Sequence, residues 1–210
     1  MKTAKVDGEA ISPGAVQFEL ERLARFYVSH GISEEEIRKS AKELSAKALE
    51  QAIGAKLLLA EAMRLDMPVS AADVDAEIGR VVSQIGGRDA FEQALAAQGM
   101  TEAGFRKELE KGVKVNKLVE KACSGADEPT EEAVAAFYAA HAKDYTPRTL
   151  VDAHDDIKDL LRHESRGRAM DSYVAELREK ASIEYIDVPV PAHGHGDHGG
   201  CSCGCHHHHH

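Results

Sequence analysis

The sequence predicts an all-α protein with one long bridging helix, a C-terminal helix and a disordered tail. Two observations carry this fold class. The 210 residues are rich in Ala, Leu, Glu and Lys, lack tryptophan and are only 5% aromatic, which is typical of helices that pack through thin, alanine-lined contacts. In addition, apolar residues recur every three or four positions along most of the chain, which is the spacing of one helical face.

The bridging helix is predicted over residues 33–65. Ser33 and Glu36 have the spacing of a capping box, in which each side chain accepts a hydrogen bond from the backbone amide of the other residue. Pro68 disfavours helical geometry at Met67, so the helix should end there. About thirty residues is long for a helix of a compact bundle, and we therefore expect it to connect parts of the fold. Its apolar face comprises Ile37, Ala41, Leu44, Ala48, Leu49, Ala52, Ile53, Leu57, Leu59 and Met63.

Other helices are predicted on either side of this one. Residues 1–12 carry no helical pattern and are predicted to form a flexible arm. A first helix should follow Ser12 and Pro13 and end at Gly31, because proline suits a first helical position and glycine a C-cap. The apolar residues of this helix are Val16, Leu20, Leu23, Phe26 and Tyr27. Further helices are predicted to begin after Ser70, Gly87, Thr101 and Thr130.

The last helical pattern starts at Leu150, beyond a break at residues 144–147, and continues to Leu177. Gly167 is a weak point in it, since glycine lowers helix propensity. Residues 183–188 alternate apolar and polar side chains, as a short strand does. No partner for this strand is evident in the sequence.

Charge and hydropathy exclude two classes of partner. The net charge is −10 and the basic residues are dispersed among acidic ones, whereas phosphate binding needs a concentrated basic patch. We therefore expect no nucleic-acid partner. No apolar run approaches the length of a membrane span, so no membrane partner is expected either. The first nine residues lack the apolar core of a signal peptide, which predicts a cytoplasmic protein with reduced cysteines.

Several short stretches occur in an order that resembles one known family. The stretches are residues 55–62, 69–78, 86–87, 91–95, 99–106 and 130–138. In this order they resemble the N-terminal helical chaperone module of SurA/PrsA-type parvulin isomerases, which trigger factor shares in part. The style is closest to the cytoplasmic NifM-type maturation isomerases.

The resemblance also indicates what is missing. In that family the module normally leads into a parvulin domain. Residues 145–147 resemble the segment that comes just before that domain. Residues 148–161 already resemble the helix that returns from it, and the family's His-Ile-Leu strand and paired-glycine loop are not found. The resemblance implies a helical module that cradles unfolded or extended clients. Because the parvulin domain is not found, we do not expect an enzyme. The resemblance divides a helical domain, 13–188, into an N-terminal module, 13–145, and a returning helix with a short strand, 146–188.

Residues 189–210 form a His/Cys-rich tail that we expect to be flexible, because its glycine and serine spacers cannot build a core. It holds eight of the twelve histidines and three of the four cysteines. Clustered thiolates and imidazoles suit Zn, Ni or Cu(I), although the cysteine spacing is not that of a rigid zinc finger. The candidate metal ligands are His193, His195, His198, Cys201, Cys203, Cys205, His206, His207, His208, His209 and His210. The last five histidines are either native or the end of an affinity tag.

Four other residues invite a functional interpretation, and a structural one is preferred for each. His30 and His141 lie near predicted helix ends, where histidine favours the helix dipole. His154 stands among Asp152, Asp155, Asp156 and Asp159, which we interpret as a solvated helix face. Cys123 is expected to be a small buried residue at a helix end.

Three functional hypotheses remain open. The first is a chaperone-like protein that binds an unfolded or immature client, for which the NifM-like resemblance suggests a metalloenzyme, with a metal-binding tail. The second is a protein that stores or delivers Ni, Zn or Cu, with the helices as its scaffold. The third is an accessory or degenerate peptidyl-prolyl isomerase. No organic cofactor is expected, and the sequence leaves the oligomeric state open, a dimer included.

Overall fold

The computed structural model of the chain describes residues 2–126 and 128–187, and these residues form helices with little sheet, as predicted. The strands are β1 (Lys2–Val6), β2 (Glu9–Ala10) and β3 (Ile183–Asp187). The helices are α1 (Pro13–Ser29), α2 (Glu34–Lys39), α3 (Ala41–Arg64), α4 (Ala71–Gln84), α5 (Arg88–Ala97), α6 (Glu102–Cys123), α7 (Glu131–Ala140), α8 (Ala142–Tyr145) and α9 (Leu150–Lys180).

The beginning of the chain is a strand, so the prediction of a flexible arm over residues 1–12 is wrong. β1 is the central strand of an antiparallel sheet with the order β2-β1-β3. Its register with β3 runs from Lys2 opposite Asp187 to Val6 opposite Ile183. Ala4 and Val6 point into the core and are 0% and 2% exposed. The strand predicted near residue 183 is therefore confirmed, and β1 is the partner that the sequence did not reveal.

The helix predicted over residues 33–65 is interrupted at Ser40, so it is two helices rather than one. The capping box at its start is present, since Glu36 Oε2 accepts from Ser33 N at 3.1 Å and Ser33 Oγ accepts from Glu36 N at 3.3 Å. At Ser40 the backbone has φ −92° and ψ 9°, outside the helical region. Serine is a weak helix former, and the break lets α2 contact both α1 and α3. α3 retains the bridging role, because it contacts α1, α6, α9 and β1.

The C-terminal helix is continuous. α9 runs without a break through Gly167, the weak point that the sequence indicated. A glycine costs a helix only about 1 kcal/mol. Buried residues on both sides of it, Ile157 and Leu177, pack against other elements and hold the helix together.

The apolar interior is divided into four small clusters among the described residues. The sheet, α1, α3 and the end of α9 share the first, which is centred on Ile53, and α4, α5 and α6 share the second, which is centred on Phe91. The third joins Ala62 and Met67 to Leu118 of α6, and the fourth joins α7 to Ile157 of α9. The helices thus contact one another through narrow seams. No helix in the described ranges is long and apolar enough to cross a membrane.

Substitution Phe91→Ala tests whether these clusters are independent. Phe91 is 1% exposed and lies against Phe105, so we expect a loss of about 3–5 kcal/mol in the stability of its cluster. Hydrogen exchange measured by mass spectrometry should accelerate in α4 and α5 and remain unchanged in β1 and α1. Ile85→Ala, at a residue 41% exposed, is the matched control and should alter neither region. Faster exchange throughout the molecule in Phe91→Ala would show that the clusters form one cooperative core.

Candidate functional site

Large apolar side chains are concentrated on the solvent side of α1 and in the turn that follows it. Phe18, Phe26, Val28 and Ile32 are 59%, 55%, 52% and 39% exposed. We call these four residues the α1 surface. Single exposed apolar residues are ordinary, but a group of them on one element commonly marks a binding site.

The opposite side of α1 explains why this helix is held in place while exposing apolar residues. Val16 is buried against α3, and Leu20 and Leu23 pack beside it. Ser12 Oγ accepts from Ala15 N at 3.1 Å and Pro13 follows at the first helical position, so the start of α1 is well defined. Gly31 ends it with φ +81°, a conformation that glycine adopts without strain. α1 therefore carries apolar side chains on two faces, of which only one is covered.

A groove runs along one side of α1, between this helix and α3, and we call it the α1–α3 groove. Its volume is about 420 Å³. Small residues form much of its lining, which allows the backbone of a bound segment to approach closely. The apolar lining residues are Ala10, Ile11, Ala15, Phe18, Ala52, Ala55 and Leu59.

The charged groups beside the α1–α3 groove are paired with one another. Lys56 Nζ lies 2.7 Å from Glu9 Oε2, and its hydrogen bond holds the pKa of Glu9 below the ordinary value. Glu19 is 8% exposed and accepts from Arg22 Nε at 2.7 Å. These pairs leave the groove without a strong charge preference.

A second groove lies on the other side of α1, where α2 returns alongside it, and we call it the α1–α2 groove. Its volume is about 570 Å³, and Ala24, Val28 and Ile37 provide the apolar part of its lining. Arg25 and Arg38 stand at its edge. The break at Ser40 creates this groove, because a straight helix over residues 33–65 would carry Ile37 away from α1.

His30 fixes the end of the α1 surface. Its Nδ1 lies 2.8 Å from Phe26 O, and its ring lies against the Phe26 ring with centroids 4.1 Å apart. His141 occupies the same position on α7, 3.0 Å from Phe137 O and stacked on that ring at 4.2 Å. Both histidines stand at the C-caps of their helices, as the sequence predicted.

The grooves along α4 and α6 differ in character, because charged side chains line them and bind one another. Lys117 Nζ lies 2.7 Å from Asp73 Oδ2 and, with Ser70, lowers the pKa of Asp73 to about 2. Lys114 Nζ lies 3.1 Å from Asp66 Oδ1. These ion pairs tie α4 and its preceding loop to α6. They give no apolar surface comparable to that of α1.

The acidic face around His154 is an ion-pair network between α7 and α9. His154 Nε2 lies 2.6 Å from Glu131 Oε2, and its Nδ1 lies 2.9 Å from Asp155 Oδ1. Lys158 Nζ contacts the other oxygen of Glu131 at 2.8 Å. Hydrogen bonds to Asp155 and Glu131 raise the pKa of His154, and those from Lys158 and His154 lower the pKa of Glu131 to about 2. The sequence did not indicate Glu131, which is 23 residues away.

The remaining acidic residues of this face do not converge on one point. Asp152 caps α9 through Thr149, Asp156 pairs with Arg148 at 2.7 Å, and Asp159 pairs with Arg162. Among residues 2–126 and 128–187, no group of three or more His, Cys, Asp or Glu side chains is arranged to hold a metal ion. Cys123 is 5% exposed at the end of α6, with Sγ 3.6 Å from Arg166 O, as expected for a buried residue.

The predicted metal ligands cannot be placed in this geometry. His193, His195, His198, Cys201, Cys203, Cys205 and His206 to His210 all lie outside the described residues. Metal binding by this segment therefore stays a prediction from the sequence.

Comparison with known proteins identifies the module. Residues 1–119 match the SurA-like N-terminal domain family. No curated protein matches the chain. A solved structure from work on the virulence factor PEB4 and the periplasmic protein Cj1289, two structurally related SurA-like chaperones of the human pathogen Campylobacter jejuni, is similar in fold. Its TM-score is 0.54 at 15% identity, and the match covers 89% of this chain and 99% of that chain.

These matches confirm the resemblance that the ordered stretches of sequence indicated. The match over residues 1–119 includes β1, which the flexible-arm prediction had excluded from the module. Within the residues that the structure describes, the chain passes from α8 directly into α9, and no parvulin domain stands between them.

The contribution of His154 to stability should depend on pH. The pKa of His154 is raised from 6.5, so its stabilising effect is fully present below pH 6.5 and lost as the pH rises through the raised pKa. In urea unfolding, His154→Gln should lower the midpoint near pH 6, and the difference from the wild type should shrink at higher pH. His163→Gln, at an exposed histidine of the same helix, is the control and should follow the wild type. A constant difference across this range would contradict the network.

Proposed function

Because this chain belongs to the family of SurA-like N-terminal domains, we propose that it binds unfolded or extended segments of client proteins on the α1 surface. One observation carries the proposal. Phe18, Phe26 and Val28 expose more than half of their side chains between two grooves, on a helix whose other face anchors it to α3. A surface of this kind gains free energy when another apolar chain covers it.

The shape of the surface suits an extended segment. Successive side chains of an extended chain point to opposite sides at about 3.3 Å per residue. The α1–α3 groove borders the first half of α1 and the α1–α2 groove borders the second half. An extended segment lying along α1 therefore meets the two grooves one after the other, and its side chains can enter each. Covering one phenylalanine contributes about 1.5–3 kcal/mol, so a few such contacts give moderate affinity.

The chemistry of the surface favours tolerance of many sequences. Apolar burial is non-directional, and the alanines of the α1–α3 groove do not select one side-chain shape. The neighbouring charges are already paired, Lys56 with Glu9 and Arg22 with Glu19. A client need only be apolar and locally extended, which describes an immature protein rather than a folded one.

The tail extends the proposal to metal chemistry. Residues 189–210 carry three cysteines and eight histidines, a donor set suited to Zn, Ni or Cu(I). We propose a cytoplasmic maturation factor of NifM-like style that holds an immature metalloprotein and buffers its metal, without isomerase activity of its own. The alternative, metal storage or delivery with the helices as scaffold, rests on the same donor set.

The α1 surface is tested by suppression of aggregation of an unfolding model protein. Phe18→Ser combined with Phe26→Ser should raise the chaperone concentration needed for half-protection about tenfold or more, because two exposed rings are lost from the contact. The readout is light scattering at several chaperone concentrations, and circular dichroism should show that the helical content is unchanged.

Val151→Ser is the matched control for this test. Val151 is an apolar residue of α9 that is 85% exposed and lies outside the α1 surface. Its substitution should leave protection unchanged. Equal loss of protection in both variants would indicate nonspecific adhesion, and full protection by the double variant would place the binding surface elsewhere.

The tail is tested with the full chain under reducing conditions. Substitution of Cys201, Cys203 and Cys205 by serine should weaken Zn²⁺ binding at least about tenfold in competition with a chromophoric chelator, because thiolates are the stronger ligands. Ser202→Ala with Gly204→Ala changes the same segment but no ligand and should bind like the wild type. Protection of the model protein should persist in the cysteine variant. Its loss would favour the metal-handling alternative.

A further inference from the structure

The chain leaves the described structure close to the entrance of the α1–α3 groove. Asp187, the last described residue, pairs with Lys2 at one end of β1. On the other side of β1, Ile11 N donates to Ala4 O at 2.8 Å, and Ile11 leads through Ser12 into α1. Since neighbouring strands lie about 4.8 Å apart, about 10 Å separates residue 187 from Ser12.

The groove opens at this same end of the sheet. Ala10, Ile11 and Ala15 line its first part, and Phe18 and Ala52 follow further along. A segment that continues from β3 across the end of β1 therefore meets the apolar lining within a few residues.

The sequence beyond β3 matches this position in length and chemistry. Residues 188–191 are Val-Pro-Val-Pro, and they are followed by Ala192 and then by histidine, glycine and aspartate. Proline has no N–H to donate, so these residues are poor at continuing the ladder of β3. At about 3.3 Å per residue, four residues span about 13 Å, enough to cross the end of the sheet and bring Val190 to the groove.

We propose that residues 188–191 of this chain dock in the α1–α3 groove of the same molecule. Docking covers Phe18 and the neighbouring alanines with two valines and two prolines. The segment is tethered next to the groove, so its effective concentration there is on the order of millimolar, and weak contacts suffice to keep the groove occupied. If the function proposed above is correct, a client must displace this segment, and its apparent affinity is reduced by the fraction of molecules with a free groove.

The test uses the full chain with Val188→Ser and Val190→Ser, in reducing buffer with a metal chelator. The first readout is independent of any client: the methyl NMR signals of Ala10, Ala15, Ala52 and Ala55. These signals should move in the double variant. Gly199→Ser with Gly200→Ser, in the polar part of the tail beyond residue 191, is the control and should leave the alanine signals unchanged. Unchanged alanine signals in the valine variant would overturn the docking.

The second readout is binding of a fluorescein-labelled extended peptide of alternating leucine and serine. The valine variant should bind it about three- to tenfold more tightly than the wild type, because the groove is free. Alanine shifts without peptide binding by either protein would refute the client proposal and leave the docking intact. Alanine signals that change with protein dilution would show that the occupant is a second molecule, which contradicts docking within one chain.

Discussion

The antiparallel pairing of β1 with β3 is the contact on which the arrangement of the molecule depends. It joins residues 2–6 to residues 183–187 and holds both segments against α3 through Ala4 and Val6. Asp7 N donates to Ser182 O and Ser182 N donates to Asp7 Oδ1, both at 2.8 Å. Without this pairing, α1 would lose the platform from which it starts, and the last turns of α9 would lose their attachment to the sheet.

A second set of contacts supports this junction from the side of α9. Glu50 of α3 accepts from Arg178 Nη2 at 2.6 Å and from Tyr185 Oη at 2.9 Å, so one carboxylate links α3, α9 and β3. Partial desolvation and the hydrogen bond to Glu50 raise the pKa of Tyr185, whose phenol acts here as a hydrogen-bond donor. α3 is thus fixed at Glu50, close to Ala52 and Ala55, which belong to the wall of the α1–α3 groove.

The division of the interior into four clusters explains why apolar surface remains uncovered. Each helix has few neighbours. Among the other helices, α1 makes substantial contact only with α3 and α2. Its apolar residues Val16, Leu20 and Leu23 already pack against α3. Among residues 2–126 and 128–187, no further layer packs on Phe18 and Val28, so their exposure there follows from the arrangement of the helices rather than from a local irregularity.

Features that depend on neighbours in sequence could be predicted, and features that depend on distant partners could not. Ser12, Ser70, Thr101 and Thr130 mark helix starts, because a cap is formed within three residues. β1 was missed because its partner is more than 170 residues away and its five residues carry no strong pattern of their own. The break at Ser40 was missed because it depends on the packing of α2 against α1, which the sequence does not show.

The candidate site shows the same limit. The sequence pattern assigned Phe26 to α1 along with Val16, Leu20, Leu23 and Tyr27 but did not indicate that it is 55% exposed. Periodicity shows which side of a helix is apolar but not how much of that side is buried. The buried part of α1 is set by how much of the helix α3 covers. The exposed position of Phe18 was likewise not predictable, because the sequence does not tell which faces of α1 its neighbours α2 and α3 leave uncovered.

The separation of β1 and β3 along the chain also shapes the order in which the protein is made. The cluster of α4, α5 and α6 comes from one continuous stretch, so its contacts can form while synthesis continues. The cluster beneath the sheet is complete only after residues 183–187 have left the ribosome. Until then β1 lacks its pairing with β3, and the part of the cluster that Leu177 and Ile183 cover is exposed apolar surface. A nascent copy of this protein therefore passes through a stage in which it has the chemical features that we propose it binds in others.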